Sequence, residues 1–135
     1  MTNSLHLSTT LPASPQKIYQ AWLNSEEHAL FTGGGPAEVD PRVGGAFTAW
    51  DGYIQGKTLE LEPYARILQA WRTTEFPDGA PDSLLEVLIQ PDGQGSKLTL
   101  VHTQIPEGQE DEYKQGWEDY YFKPMQEYFG GKGEE

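Results

Sequence analysis

Histidine is the side chain best suited to exchange protons near neutral pH, and the chain has three, His6, His28 and His102. His6 lies in an alternating segment, on the face opposite Leu5 and Leu7, and is expected in water. His28 falls in a short helical segment near the mouth of any cavity the fold encloses. His102 shares its face with Leu98 and Leu100, so it is expected to point inward. There it is either a group that polarises the carbonyl of a bound molecule or a core histidine bonded to a tyrosine or a backbone group. No two histidines have metal-ligand spacing, and there is no His-Glu-x-x-His run. No Gly-x-Ser-x-Gly elbow occurs either. Ser8, Ser14, Ser25, Ser83 and Ser96 stand in strand, cap or turn contexts that account for them. Arg72 is either a partner for an acidic ligand or half of a surface ion pair. Glu107, Glu110, Asp111 and Glu112 read as charge that favours the N-terminus of a following helix. No metal and no cofactor is expected.

The richest signal is aromatic. Trp117, Tyr120, Tyr121, Met125 and Tyr128 recur at three- and four-residue steps, which lays a wide apolar stripe along one helix. That much ring surface must be buried against something. The rings are either core or the wall of a void that admits an apolar molecule, since small-molecule pockets are mostly apolar with a few orienting polar groups. The pocket candidates are Phe47, Tyr53, Gln69, Trp71, Leu85, Val87, Leu100, His102, Trp117, Tyr121 and Met125.

Those residues need elements to hold them. Leu5 to Leu11 alternates and reads as an edge strand. Pro12-Ala13-Ser14-Pro15 ends it and starts a helix, with Ser14 as cap and Pro15 at the first helical position, running to Leu23. Ile18, Tyr19, Trp22 and Leu23 form its buried face. A second short helix covers Asn24 to Phe31, capped by Asn24 or Ser25. Gly33-Gly34-Gly35 breaks it; no Lys-Ser/Thr follows, so it reads as a connector and not as a phosphate cradle. Strands are expected at 37–40, 46–50, 54–62, 65–73, 83–90 and 97–104, with a hairpin at Asp51-Gly52. A loop is expected at 76–82, and another at 91–95. Faces follow from alternation: Phe47 and Ala49 oppose Thr48 and Trp50; Ile67, Gln69 and Trp71 lie together; so do Leu85, Val87 and Ile89. Pro124 removes a helical hydrogen bond, so the last helix is expected to bend between Tyr120 and Pro124. Gly116 weakens that helix, and close approach of its backbone to the sheet is the expected return. The sum is one α+β domain over residues 1–135, ordered from about 4 to 130 with a disordered tail. It is expected to be a curved antiparallel sheet of about six or seven strands wrapped around a long C-terminal helix, with two short helices after the first strand.

Composition narrows the partners. The 135 residues suffice for one domain with one core. Twenty-one acidic against nine basic residues give a formal net charge of −12. Nucleic-acid binding needs a basic footprint that is missing here, and an anionic membrane surface repels the chain. There is no cysteine, which removes disulfides and thiolate metal sites. The first residues lack a secretory pattern, and no stretch has the roughly 20 apolar residues that span a bilayer. The chain is therefore read as cytoplasmic, without membrane insertion, and as a monomer or weak dimer.

Ser14-Pro15 with Ile18-Tyr19, Phe31-Thr32, Gly44-Gly45-Ala46-Phe47, Asp51-Gly52 followed by Gly56, and Leu59-Glu60-Leu61-Glu62-Pro63 carry a resemblance. So do Ile67 with Trp71-Arg72, Leu98-Thr99-Leu100, Ile105-Pro106, and Gly116-Trp117 with Tyr120-Tyr121-Phe122. Together the chain resembles the START-like, helix-grip superfamily, and within it the C-terminal domain of the activator of heat-shock protein 90 ATPase and its stand-alone bacterial relatives. The resemblance implies a cavity between sheet and C-terminal helix. Superfamily relatives bind lipids, hormones or polyketides there, and a few catalyse cyclisation. The co-chaperone version docks on heat-shock protein 90 and carries an additional N-terminal domain, which 135 residues are too few to include. Three readings result. The first is a non-catalytic domain holding a small hydrophobic or aromatic ligand. The second is an interaction module for a heat-shock protein 90 homologue. The third is a cyclase- or hydrolase-like enzyme using His102 or Tyr121, for which no acid and base stand at recognisable spacing.

Overall fold

The computed structural model describes residues 2–31, 37–50, 52–93 and 95–131. The chain runs β1 (Thr2–Leu11), α1 (Pro15–Trp22), α2 (Ser25–Phe31), β2 (Glu38–Val39), β3 (Ala46–Ala49) and β4 (Ile54–Glu62). It continues through β5 (Arg66–Thr73), β6 (Ser83–Asp92) and β7 (Gly95–Pro106) to the C-terminal helix. The strands form one antiparallel sheet in the order β1-β7-β6-β5-β4-β3-β2, so β1 is an edge strand as its alternation suggested. The glycine run at 33–35 and the last residues of the tail, 132–135, lie outside the described residues. Gly131, expected in a disordered tail, is the last residue of the helix.

Local chemistry sets the short helices. Ser14 Oγ accepts the Lys17 N–H at 3.2 Å, and Pro15 occupies the first turn of α1. Asn24 Oδ1 accepts the Glu27 N–H at 2.9 Å, so Asn24 caps α2. Ile18 and Trp22 are buried, while Tyr19 is half-buried against the exposed Tyr64 ring.

Period-two alternation sets the sheet. Ile67, Gln69 and Trp71 on β5, Leu85, Val87 and Ile89 on β6, and Leu98, Leu100 and His102 on β7 all turn to one buried face. Full burial of such a side chain contributes roughly 1.5–3 kcal/mol, so this face is what fastens sheet to helices. The register shifts at Asn3/Leu5 and at Thr58/Glu60, and such bulges bend a sheet. On the opposite face Arg66 pairs with Glu60 at 2.6 Å and Glu86 at 2.5 Å. The β6–β7 hairpin is tighter than expected. A loop was anticipated over 91–95, yet pairing continues to Asp92 opposite Gly95.

The C-terminal helix departs from regularity where Pro124 requires it to. It comprises α3 (Glu110–Trp117), a π-helical turn (Glu118–Phe122) and α4 (Lys123–Gly131). The Lys123 N–H bonds to the Glu118 carbonyl, five residues back. Pro124 has no N–H to offer, and a widened turn just before it accommodates the loss. The expected bend thus takes the form of a π turn. It also resets the stripe. Trp117, Tyr121, Met125 and Phe129 are buried, at four-residue steps, and Phe122 beside them. In a helix of 3.6 residues per turn each such step drifts by about 40°, so three steps would carry Phe129 roughly 120° from Trp117; the wider turn absorbs much of that. Tyr120, expected within the stripe, is 58 % exposed for the same reason.

Candidate functional site

A cavity of about 330 Å³ lies between the C-terminal helix and the β3–β5 side of the sheet. Trp50, Tyr53 and Ile54 from the β3–β4 hairpin and Trp71 from β5 form one wall. Glu112, Tyr113, Gly116, Trp117, Tyr120 and Tyr121 from the helix form the other. The helix also packs on β1 through α3 and α4, whereas the cavity's sheet wall comes from β4, β5 and the β3–β4 hairpin. Its lining is mostly apolar.

Rings back the cavity. Trp117 lies 5.5 Å from Trp71 and 4.7 Å from Tyr121, centroid to centroid. Trp22 from α1 closes the cluster behind them, 5.5 Å from Tyr121 and 6.5 Å from Trp117. Trp50 and Tyr120 meet edge to face at 5.6 Å across the mouth. Trp50 has φ of 54°, a left-handed conformation that costs a bulky residue of order 1–3 kcal/mol. That twist ends β3's alternation and swings the indole, expected on the outer face, over the cavity.

The polar groups behind the rings are all consumed internally. The Trp117 indole N–H donates to His102 Nδ1 at 3.1 Å. The remaining ring proton must therefore sit on Nε2, which donates to Ser83 Oγ at 2.8 Å. Ser83 in turn donates to the Trp71 carbonyl at 2.7 Å. Burial pushes His102 down to about 3, so it is neutral at pH 7. His102 is the core histidine of the two readings, with a serine and a tryptophan as its partners in place of a tyrosine or backbone group. His28 was expected near a cavity mouth, but it is 3 % exposed and bonded deep in the core. Its Nδ1–H donates to the Trp22 carbonyl at 2.9 Å, and its Nε2 accepts the Tyr121 hydroxyl at 2.9 Å. Burial lowers His28 to about 4 and pushes the Tyr121 hydroxyl well above the usual tyrosine range. A third chain links the Trp22 indole N–H to Gln69 Oε1 at 3.3 Å and Gln69 Nε2 to Thr58 Oγ1 at 3.2 Å. Among the described residues no buried side-chain nitrogen or oxygen lacks a partner.

Polarity returns at the rim. Tyr113 bonds to Thr73 at 2.6 Å and to Gln109 at 2.7 Å. The Tyr53 hydroxyl reaches Glu75 at 3.1 Å and Glu112 at 3.4 Å. The neighbouring Glu75 raises Glu112 above the usual carboxylate range. Arg72, weighed above as an anion partner, is engaged elsewhere. It bonds Asp82 at 2.8 Å and the Ala80 carbonyl at 2.9 Å, with its guanidinium over the Phe76 ring, and so pins the β5–β6 loop.

Of the eleven pocket candidates, Tyr53, Trp71, Trp117 and Tyr121 line the cavity. Phe47, Gln69, Leu85, Val87, Leu100, His102 and Met125 are not among its lining residues; they are buried in the core. Trp50, Ile54, Glu112, Tyr113, Gly116 and Tyr120 line it without having been singled out. Gly116 carried the one legible signal, a helix-weakening residue in mid-helix. Close packing on the sheet does not explain it. A Cβ there would meet only Tyr120 Cδ2, at 3.9 Å, so the missing side chain is cavity volume.

The family model described as "Activator of Hsp90 ATPase homolog 1-like protein" matches residues 12–130. The human protein named activator of 90 kDa heat shock protein ATPase homolog 1 is 30 % identical over 129 residues, 96 % of this chain. The Dictyostelium discoideum protein of the corresponding name is 27 % identical over 117 residues, 86 % of this chain. The chain spans only 38 % and 30 % of the length of those two relatives. Among solved structures, an HSP90 activator from Plasmodium falciparum superposes with a TM-score of 0.87 at 23 % identity, covering 94 % of this chain and 96 % of that one, which shows the fold. A Chromobacterium violaceum protein is 29 % identical with a TM-score of 0.73, covering 92 % and 94 %. An Aha1 described as a dimer in solution, from Colwellia psychrerythraea, shares the fold at 14 % identity with a TM-score of 0.75, covering 93 % and 95 %.

Proposed function

The chain belongs to the Activator of Hsp90 ATPase homolog 1-like family, and we propose that it is a cytoplasmic, non-catalytic domain that holds a small, largely apolar molecule under its C-terminal helix. The observation that carries this is the ring-lined cavity of about 330 Å³, within the usual range for small-molecule sites of roughly 300–1,000 Å³. The helix keeps glycine at 116 where a side chain would fill that volume. The apolar contacts supply affinity at roughly 25 cal/mol per Å² buried. The two groups weighed above for an enzyme reading are both engaged inside the core. His102 spends both ring nitrogens on Trp117 and Ser83, and the Tyr121 hydroxyl donates to His28, away from the cavity. A thermal-shift screen of apolar and aromatic compounds tests the reading. Hits must raise the melting temperature of the wild type and lose that effect when Gly116 is enlarged; an empty screen sinks it.

The relatives' names favour a second reading, a domain that docks on an Hsp90 homologue. The acidic surface, −12 overall, would steer it to a basic face, with affinity that falls as salt rises. Co-purification with the purified chaperone at low salt, or stimulation of its ATPase, supports this; absence of both removes it. Analytical ultracentrifugation decides whether the chain is a monomer or a weak dimer.

A further inference from the structure

The cavity mouth has a sign. Glu75, from the segment after β5, and Glu112, from the first turn of α3, both reach the Tyr53 hydroxyl, at 3.1 and 3.4 Å. That hydroxyl has one proton and cannot satisfy two carboxylates fully. Neither Glu75 nor Glu112 forms an ion pair with a lysine or arginine among the described residues. Among the described residues no lysine or arginine lines the cavity, and Arg72 is committed to Asp82 and the Ala80 carbonyl. Behind the carboxylates the rings of Trp71 and Trp117 line the cavity, and aromatic rings attract cations.

We propose that the cavity selects a positively charged apolar ligand, an organic ammonium. Its hydrocarbon part lies among the rings, and its nitrogen lies at the mouth beside Glu75 and Glu112. This rests on the reading of the cavity as a ligand site and adds the ligand's charge. The start of α3 on its own would favour an anion. Glu110, Asp111 and Glu112 already fill that first turn with negative charge, so an incoming carboxylate meets repulsion from them and from Glu75. A cation beside the two carboxylates relieves the crowding by Glu75 that raises Glu112.

Three probes with one ring system and different charge test this: 1-naphthylmethylammonium, 1-naphthalenemethanol and 1-naphthoate, titrated at neutral pH and low salt by calorimetry or tryptophan quenching. The ammonium is expected to bind about tenfold tighter than the alcohol, the combined size of a partly exposed cation–π contact and a rim ion pair, and the carboxylate weakest. In the double variant Glu75→Gln/Glu112→Gln the gap between ammonium and alcohol is expected to shrink to about twofold, the residue of the ring contact alone. Equal binding of ammonium and alcohol to the wild type overturns the charge preference and leaves the apolar cavity standing. So does a preference that the double variant keeps in full. Failure of all three probes to bind overturns the cavity reading and this inference together.

Discussion

The indole N–H of Trp117 points at Nδ1 of His102 across 3.1 Å, and so fixes which nitrogen of a fully buried imidazole carries the proton. One bond ties the C-terminal helix to the last strand and sets the tautomer that lets His102 donate to Ser83 on the neighbouring strand. Helix, β7, β6 and β5 are joined by a single polar chain that ends on the Trp71 carbonyl.

Cutting that chain is expected to be costly. Ser83→Ala leaves the His102 Nε2–H and the Trp71 carbonyl without their partner in a region from which water is excluded. An unsatisfied buried group costs about 1–3 kcal/mol. Urea unfolding of Ser83→Ala should show a loss in that range with an unchanged m-value. A loss below about 0.5 kcal/mol would mean that the chain is not a closed unit.

The two buried histidines make stability depend on acid. Their folded pKa values, about 4 for His28 and about 3 for His102, lie below the unfolded value of about 6.5. Below 6.5 the unfolded chain binds protons that the folded chain refuses. Their contribution is therefore full above about pH 6.5 and declines as pH falls towards 4 and then 3. The shifts correspond to roughly 3 kcal/mol for His28 and roughly 5 kcal/mol for His102. Unfolding free energy measured from pH 7.5 to 4.5 should fall below pH 6.5, and the slope should lessen in His102→Gln. A profile flat over that interval in the wild type would contradict the burial of both rings.

Much of this architecture was legible because it follows from short-range rules. Alternation placed Ile67, Gln69 and Trp71 on the inner face, and Ser14-Pro15 announced α1. The cavity was not, because it depends on exceptions to those rules. Trp50 should have pointed outward and does not, because its backbone turns left-handed. Tyr120 should have been buried and is not, because a π turn displaces it. Candidates such as Leu85, Val87 and Leu100 have the right face, but alternation cannot tell a filled layer from an empty one. That difference lies in where α3 and α4 rest against the sheet.

Gly56 shows how little slack the filled layer has. It pairs with Phe47 on one side and Trp71 on the other. A Cβ there would collide with the Ala70 carbonyl oxygen and come within 2.5 Å of the Phe47 ring. Gly56→Ala should destabilise by about 1–3 kcal/mol, the usual size of an overpacking strain. Thermal unfolding would show this as a drop of several degrees; an unchanged midpoint would mean that β4 can shift freely.

Gly116 should behave in the opposite way. It lies in α3, where glycine costs about 1 kcal/mol against alanine, and an added Cβ meets nothing closer than 3.9 Å. Gly116→Ala should therefore raise stability by about 0.5–1 kcal/mol. Gly116→Leu projects further into the cavity and should fill it, leaving the fold intact while removing the thermal shift given by any ligand found for the wild type. The two readouts separate the explanations for this glycine. If Gly116→Ala were destabilising, the backbone would be pressed against the sheet after all. If Gly116→Leu bound ligand as well as the wild type, the molecule would not occupy this cavity.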